Sequence, residues 1–238
     1  MLRGSVLSPD WYKSGEGQGL LAHLAHPTTG NRRLYGILEY PNIPPSIECV
    51  EYKVFLVGET GVGKSAVAGW LAGLPAWNRQ AGESPGLRVT TVYWPAKLQN
   101  NLRIFKLNIW DTGAGAMKKY GHMYPSCKDG AHGVLVLFSF SDRSSWEEIP
   151  ALVQRTVLPQ DPITPIVVGN RFGNLAETTV SAGEIAEFEQ NWNIPVVCVR
   201  NQTNSSNPGS ITEVATVLNT ICEQLWIANR KPRHAINL

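Results

Sequence analysis

Eight consecutive residues, Gly58-Glu59-Thr60-Gly61-Val62-Gly63-Lys64-Ser65, follow the pattern G-x-x-x-x-G-K-S/T. Glycines at these places let successive backbone N–H groups curl round an anion and let the chain approach it closely. A helix beginning here turns its positive dipole end to the same point. Lys64 then reaches the outer phosphates, and the Ser65 hydroxyl suits Mg²⁺. The stretch is built for a phosphate-bearing ligand; the plain alternative is a glycine-rich strand–helix turn with none.

Such a site needs an acid near the metal ion, at the end of a neighbouring strand. Asp111 closes the run LRIFKLNIW and is the natural candidate, expected to act through a water. The alternative is an Asp that only starts a turn. Ser84, in Ser84-Pro85-Gly86, offers a second hydroxyl to Mg²⁺, although serines beside prolines commonly just form turns. Further along, Asn170-Arg171 follow the apolar run Ile166-Val167-Val168 and Gly169. Asn-Lys-x-Asp at such a strand end would read a guanine ring, but here Gly173 stands where the Asp would be.

The elements that must position these residues are legible in outline. Residues 53–57 are apolar and read as a buried strand ahead of the glycine-rich turn, with a helix beginning near Lys64 and stopping before Pro75. Residues 88–98 and 102–110 form a hairpin about Gln99-Asn100-Asn101; in its second strand Phe105, Leu107 and Ile109 alternate with Lys106 and Asn108. Residues 75–87 are long enough for a mobile loop over the ligand. The apolar run at 133–140 predicts a strand covered on both faces. Helices are expected at 145–157, 181–191 and 211–229, with strands at 163–168 and 194–199. Ser210 and Ser181 are plausible caps, and Ser181 with Glu184 fits a capping box. The alternation predicts an α/β domain over residues 51–230 with helices on both faces of one sheet.

Residues 1–50, punctuated by glycine and proline, read as an ordered or partly ordered extension. Within it, residues 20–25 could form a two-turn helix and residues 34–38 could pack on the main body. Residues 231–238 make a short basic tail.

With 238 residues, 43% hydrophobic and 17% charged, the chain can build a real core and is not globally disordered. A net charge of +2 demands neither nucleic acid nor membrane, and no nucleic-acid partner is expected. No apolar run approaches a membrane span, and neither a signal peptide nor a lipid anchor is expected. Cys49, Cys127, Cys198 and Cys222 lack metal-like spacing and read as buried, reduced thiols of a cytosolic protein; the five histidines share no ligand spacing either. The tryptophans mostly read as core, with Trp94, beside Pro95, also a candidate partner-facing residue.

Phosphate loop, helix, loop, hairpin, Asp-x-Gly and a later strand-end Asn-Arg is an order that resembles the Ras superfamily over about residues 52–229. Within it the chain resembles the Rem/Rab-similar GTPases of ciliogenesis and planar polarity effector complexes. The stretches that carry this are Thr90-Thr91-Val92-Tyr93-Trp94-Pro95-Ala96-Lys97-Leu98, Trp110-Asp111-Thr112-Gly113 with Lys118-Lys119, Leu137-Phe138-Ser139-Phe140-Ser141-Asp142-Arg143, and Gln224-Leu225-Trp226. The resemblance implies a P-loop NTPase fold with a six-stranded, mostly parallel sheet, binding GTP with Mg²⁺. It also implies a role in cilium assembly, planar polarity and cargo delivery to the basal body. Implied partners are of the Fuzzy and Inturned type, which would recruit a protein without a lipid anchor.

The chain departs from Ras-type switches in two places. After Asp111, Ala114 holds the usual Gly place and Gly115 the usual place of the Gln that orients the attacking water. Slow hydrolysis follows, and Thr60 adds to it by crowding the γ-phosphate region. In the base pocket Asn170 and Arg171 cover two roles, the guanidinium plane stacking where a lysine stem would lie. Gly173 cannot accept the ring's hydrogen bonds; Asn174 can stand in if the loop shifts, and residues 199–203 do not match the usual loop after the last strand. Relaxed or ATP specificity, or a nucleotide-free interaction module, remain the alternatives.

Overall fold

The computed structural model describes residues 6–25, 33–36, 38–73, 86–99, 101–112, 123–171, 178–200 and 211–230. Its centre is one six-stranded sheet. The strands are β1 (Glu48–Gly58), β2 (Leu87–Leu98), β3 (Asn101–Thr112), β4 (Gly133–Ser139), β5 (Thr164–Arg171) and β6 (Val196–Arg200), in the order β2-β3-β1-β4-β5-β6. Only β2 runs antiparallel to its neighbour; β3, β1, β4, β5 and β6 pair in parallel. β4 lies inside the sheet and is buried along nearly its whole length, which is why its sequence is a continuous apolar run rather than an alternating one.

Alternation divides the core. Tyr52, Val54 and Leu56 of β1 face one side, packing with α2 (Lys64–Leu71) and the long α7 (Ile211–Arg230). Phe55 and Val57 face the other, where α3 (Met123–Lys128), α4 (Arg143–Glu147), α5 (Ile149–Thr156) and α6 (Ala182–Trp192) lie. The expected capping box opens α6: Ser181 Oγ accepts from Glu184 N at 3.2 Å, and Glu184 Oε2 accepts from Ser181 N at 2.9 Å.

Several expectations are corrected. The single helix expected at 145–157 is two, because Pro150 has no N–H to carry the ladder on; the first starts early, with Asp142 Oδ1 accepting from Ser144 N at 3.1 Å. β3 runs through Thr112, so Asp111 lies within the strand, and β5 likewise includes Asn170 and Arg171. Trp94 is fully buried and its indole Nε1 donates to Asn219 Oδ1 of α7 at 2.8 Å, so it faces no partner. Cys127 and Cys222 are buried, but Cys49 sits on the exposed first half of β1, and Cys198 alternates with the buried Val197 and Val199 on the edge strand.

The extension is built onto the β2–β3 hairpin. Its helix α1 spans Gly15–His23, beginning earlier than expected because Ser14 Oγ accepts from Gly17 N at 3.1 Å. Gly17 itself is demanded by close approach: a Cβ there would lie 2.4 Å from Trp11 O. Trp11, Leu20, Leu24 and Tyr35 cover Tyr93 and Ile104 of the hairpin. Among the described residues of the stretch 34–38, Tyr35 packs inward while Leu34 and Leu38 are exposed.

Candidate nucleotide site

The phosphate loop joins β1 to α2, and its backbone explains its glycines. Gly61 and Gly63 adopt φ of +86° and +91°, where a side chain is strained. Gly58 is restricted by space as well, since a Cβ would meet Leu137 O at 2.7 Å and Val62 Cγ2 at 3.0 Å. Glu59, Thr60 and Gly61 stand exposed at the crest, while Val62 turns inward and anchors the loop in the core. The curl leaves the N-terminus of α2 pointing into the loop.

Lys64 is buried, and its Nζ donates to Gly58 O at 3.0 Å and Glu59 O at 2.8 Å. The ammonium is thus held across the loop by its own carbonyls. Ser65 Oγ donates to Asp111 Oδ2. Asp111 is completely buried, and its Oδ1 has no hydrogen-bond partner among the described residues. Burial pushes its carboxyl pKa above the ordinary range, while the Ser65 hydrogen bond and the charges of Lys64 and Arg88 act against that shift. A buried carboxylate oxygen left without a donor, beside a serine hydroxyl, is a hard-oxygen pair that fits Mg²⁺.

Asn170, at the end of β5, connects the two halves of the site. Its Nδ2 donates to Val62 O at 2.7 Å and its backbone O accepts from Phe140 N at 3.0 Å, so the amide pins the phosphate loop to β5. Gly169 is required just before it, because a Cβ would fall 2.5 Å from Phe140 Cε2 and 2.7 Å from Phe138 Cζ. Arg171 is half-buried with its guanidinium carbon 4.0 Å from the Phe140 ring centroid. One face of that plane is therefore engaged by an aromatic ring, and the opposite face is the one that would receive a planar ligand.

The structure thus brings Lys64, Ser65, Asp111 and Asn170 together around residues 58–65 and sets Arg171 beside them on Phe140. Ser84, residues 113–116, Gly173, Asn174 and residues 201–203 lie outside the described residues. Two residues escaped the sequence reading. Phe140, the platform for Arg171, shows in the sequence only as the last residue of the apolar run at 133–140. Arg88 pairs across the hairpin with Asp111, which counting the register back from Gln99-Asn100-Asn101 would have revealed.

A parallel sheet with one antiparallel edge strand and a phosphate loop after its first strand defines a Ras-type P-loop domain. A family model described as "Ras family" matches residues 53–219, and the chain belongs to the Ras family. Over 94% of its length the chain is 37% identical to a Mus musculus protein named "Ciliogenesis and planar polarity effector 2", covering 91% of that protein. The Danio rerio protein of the same name is 36% identical over 94% of this chain and 87% of its own length. The Homo sapiens "GTP-binding protein REM 2" is 31% identical over half of this chain and 34% of its own length.

Proposed function

We propose that this protein binds guanine nucleotide with Mg²⁺ and acts as a switch or scaffold subunit with weak GTP hydrolysis. The observation that carries the reading is the convergence of Lys64, Ser65 and Asp111 at a loop pinned by Asn170. The α2 N-terminus and the loop N–H groups bind phosphate oxygens, and Lys64 keeps its charge over the loop. Ser65 and Asp111 are the residues that would hold Mg²⁺, which when bound supplies positive charge to the phosphates. Weak turnover follows from Gly115, which has no side chain to orient a water nucleophile.

Gly173 favours a second reading at the same site, relaxed base specificity, because no carboxylate is there to accept from the guanine N1 and N2 groups. The name of the relatives supports a part in ciliogenesis and planar polarity. We extend the proposal to cytoplasmic action at the basal body, in cargo delivery, through recruitment by partners of the Fuzzy and Inturned type. Loss of basal-body localisation on Lys64→Ala substitution in ciliated cells would tie that role to nucleotide.

The biochemical test is competition of GTP, ATP and XTP for the Mg²⁺-supplemented protein, repeated with Lys64→Ala and Gly173→Asp. GTP is expected to bind, Lys64→Ala to abolish binding, and Gly173→Asp to tighten GTP relative to ATP. Preference of the unaltered protein for ATP would overturn the reading, and binding of no nucleotide would leave an interaction module.

A further inference from the structure

At the nucleotide-site end of the β2–β3 hairpin a cation stands across from the buried acid. On β2, Val92, Trp94, Ala96 and Leu98 turn toward α2 and α7 and are buried, and Thr90, of the same parity, is buried with them. Arg88 continues that parity and is the residue at which the face reaches solvent. Across the hairpin Arg88 pairs directly with Asp111, as Thr90 does with Ile109. Residues directly opposite in an antiparallel ladder carry their Cβ atoms about 4.5–5.5 Å apart on one face. The stem of Arg88 therefore starts beside the acid, on the side of the sheet where Ser65 Oγ donates to Asp111 Oδ2.

A charged residue near the end of an edge strand is ordinarily explained by solubility, since it discourages pairing with another chain. Arg88 serves that end too, but its place opposite Asp111 has a second consequence. Asp111 is completely buried and its Oδ1 has no hydrogen-bond partner among the described residues; a buried carboxylate is costly without positive charge nearby. Lys64 Nζ is bonded across the loop to Gly58 O and Glu59 O. Burial raises the Asp111 carboxyl, and the Ser65 hydrogen bond and then the charges of Lys64 and Arg88 oppose it, so Arg88 acts on the acid from across the hairpin. The same charge repels a divalent cation held by Ser65 and Asp111 and attracts phosphate oxygens beside them.

We propose that Arg88 is a built-in counter-charge at the metal end of the nucleotide site, sharing with Mg²⁺ the neutralisation of Asp111 and the neighbouring phosphates, so that nucleotide is held with less dependence on Mg²⁺. This rests on the nucleotide reading above and deepens it, by naming the residue that sets the metal requirement. Arg88 acts through its charge and is a positioning residue. A single and a double positive charge on the order of 8 Å apart in near-aqueous surroundings repel enough to change a binding equilibrium about fivefold. Because Arg88 is exposed, added salt screens part of that effect.

The full chain, Arg88→Gln and Arg88→Lys are loaded with a fluorescent GDP analogue, stripped of metal with EDTA and titrated with Mg²⁺. In Arg88→Gln the half-saturating Mg²⁺ concentration is expected to fall about fivefold, and release of the analogue in EDTA to quicken about fivefold. Arg88→Lys keeps the charge and is expected to stay within about twofold of the unaltered protein on both readings. Urea denaturation without metal or nucleotide supplies a second measurement: Arg88→Gln is expected to lower the midpoint in the unaltered background and to lose that effect in the Asp111→Asn background. Analogue bound with the same Mg²⁺ dependence in Arg88→Gln, equal changes in Arg88→Lys, or additive effects in the urea cycle would overturn the proposal alone. Analogue bound by none of the proteins would overturn the nucleotide reading and this proposal with it.

Discussion

Asn170 offers a demanding test of how the site is held. The residue is 5% exposed, and its carboxamide makes a 2.7 Å bond to Val62 O, joining β5 to a loop 108 positions earlier in the chain. Asn170→Ala removes that donor and leaves a buried carbonyl without it, a loss of about 1–3 kcal/mol. Asn170→Asp should be worse, because a carboxylate has no N–H and would set negative charge against the same carbonyl in a dry site. Urea denaturation without nucleotide is expected to show the order unaltered, Ala, Asp, with the Ala variant lower by about 1–3 kcal/mol. Titration of a fluorescent GTP analogue is expected to show affinity falling about tenfold in Asn170→Ala, since about 1.4 kcal/mol of loop ordering must then come from binding. An Ala variant within about 0.5 kcal/mol of the unaltered protein, with unchanged affinity, would refute the assignment of Asn170 as the tether.

Gly169→Ala forces a methyl group against the Phe138 and Phe140 rings at 2.7 Å and 2.5 Å, and urea denaturation should register a loss of about 1–3 kcal/mol from overpacking. Trp94→Phe removes the indole donor to Asn219; a loss of about 1–3 kcal/mol with faster amide exchange at residues 6–9 is expected, since Asn219 also grips Pro9 O. Glu184 is pulled down from an ordinary 4.5 to about 2 by the Ser181 backbone N–H, then by Arg143 and the Ser181 hydroxyl. Its contribution is complete above the ordinary value and disappears as the pH falls through the folded one. The difference in melting temperature between the unaltered protein and Glu184→Gln should therefore shrink as the pH drops from about 6 towards about 3; a constant difference would contradict the pairing.

Local chemistry was legible in the sequence because its causes are local. The left-handed φ of Gly61 and Gly63, the start of α2 at Lys64 and the Ser181–Glu184 box each depend on residues a few positions apart. The period-two alternation around Phe105, Leu107 and Ile109 likewise marks one buried strand face whatever lies across it. Even the break between α4 and α5 was available in Pro150, and Asp111 and Asn170 were identifiable as site residues because strand ends beside a phosphate loop must supply such groups.

Sequence alone thus determined a phosphate loop, the strands and helices that carry it, and the residues that converge there. Only the tertiary structure decided the surroundings of those residues. Trp94 beside a proline on a strand looks fit for a partner until Asn219, 125 positions away, receives its indole. The sequence places Arg171 at a strand end but does not show that Phe140 lies against its guanidinium. Residues 6–9 read from sequence only as part of an ordered or partly ordered extension, and it is the fold that has Glu223 and Asn219 of the last helix grip their backbone. In each case the deciding partner is distant in the chain and the contact depends on where the fold places it, and neither spacing nor residue type records that.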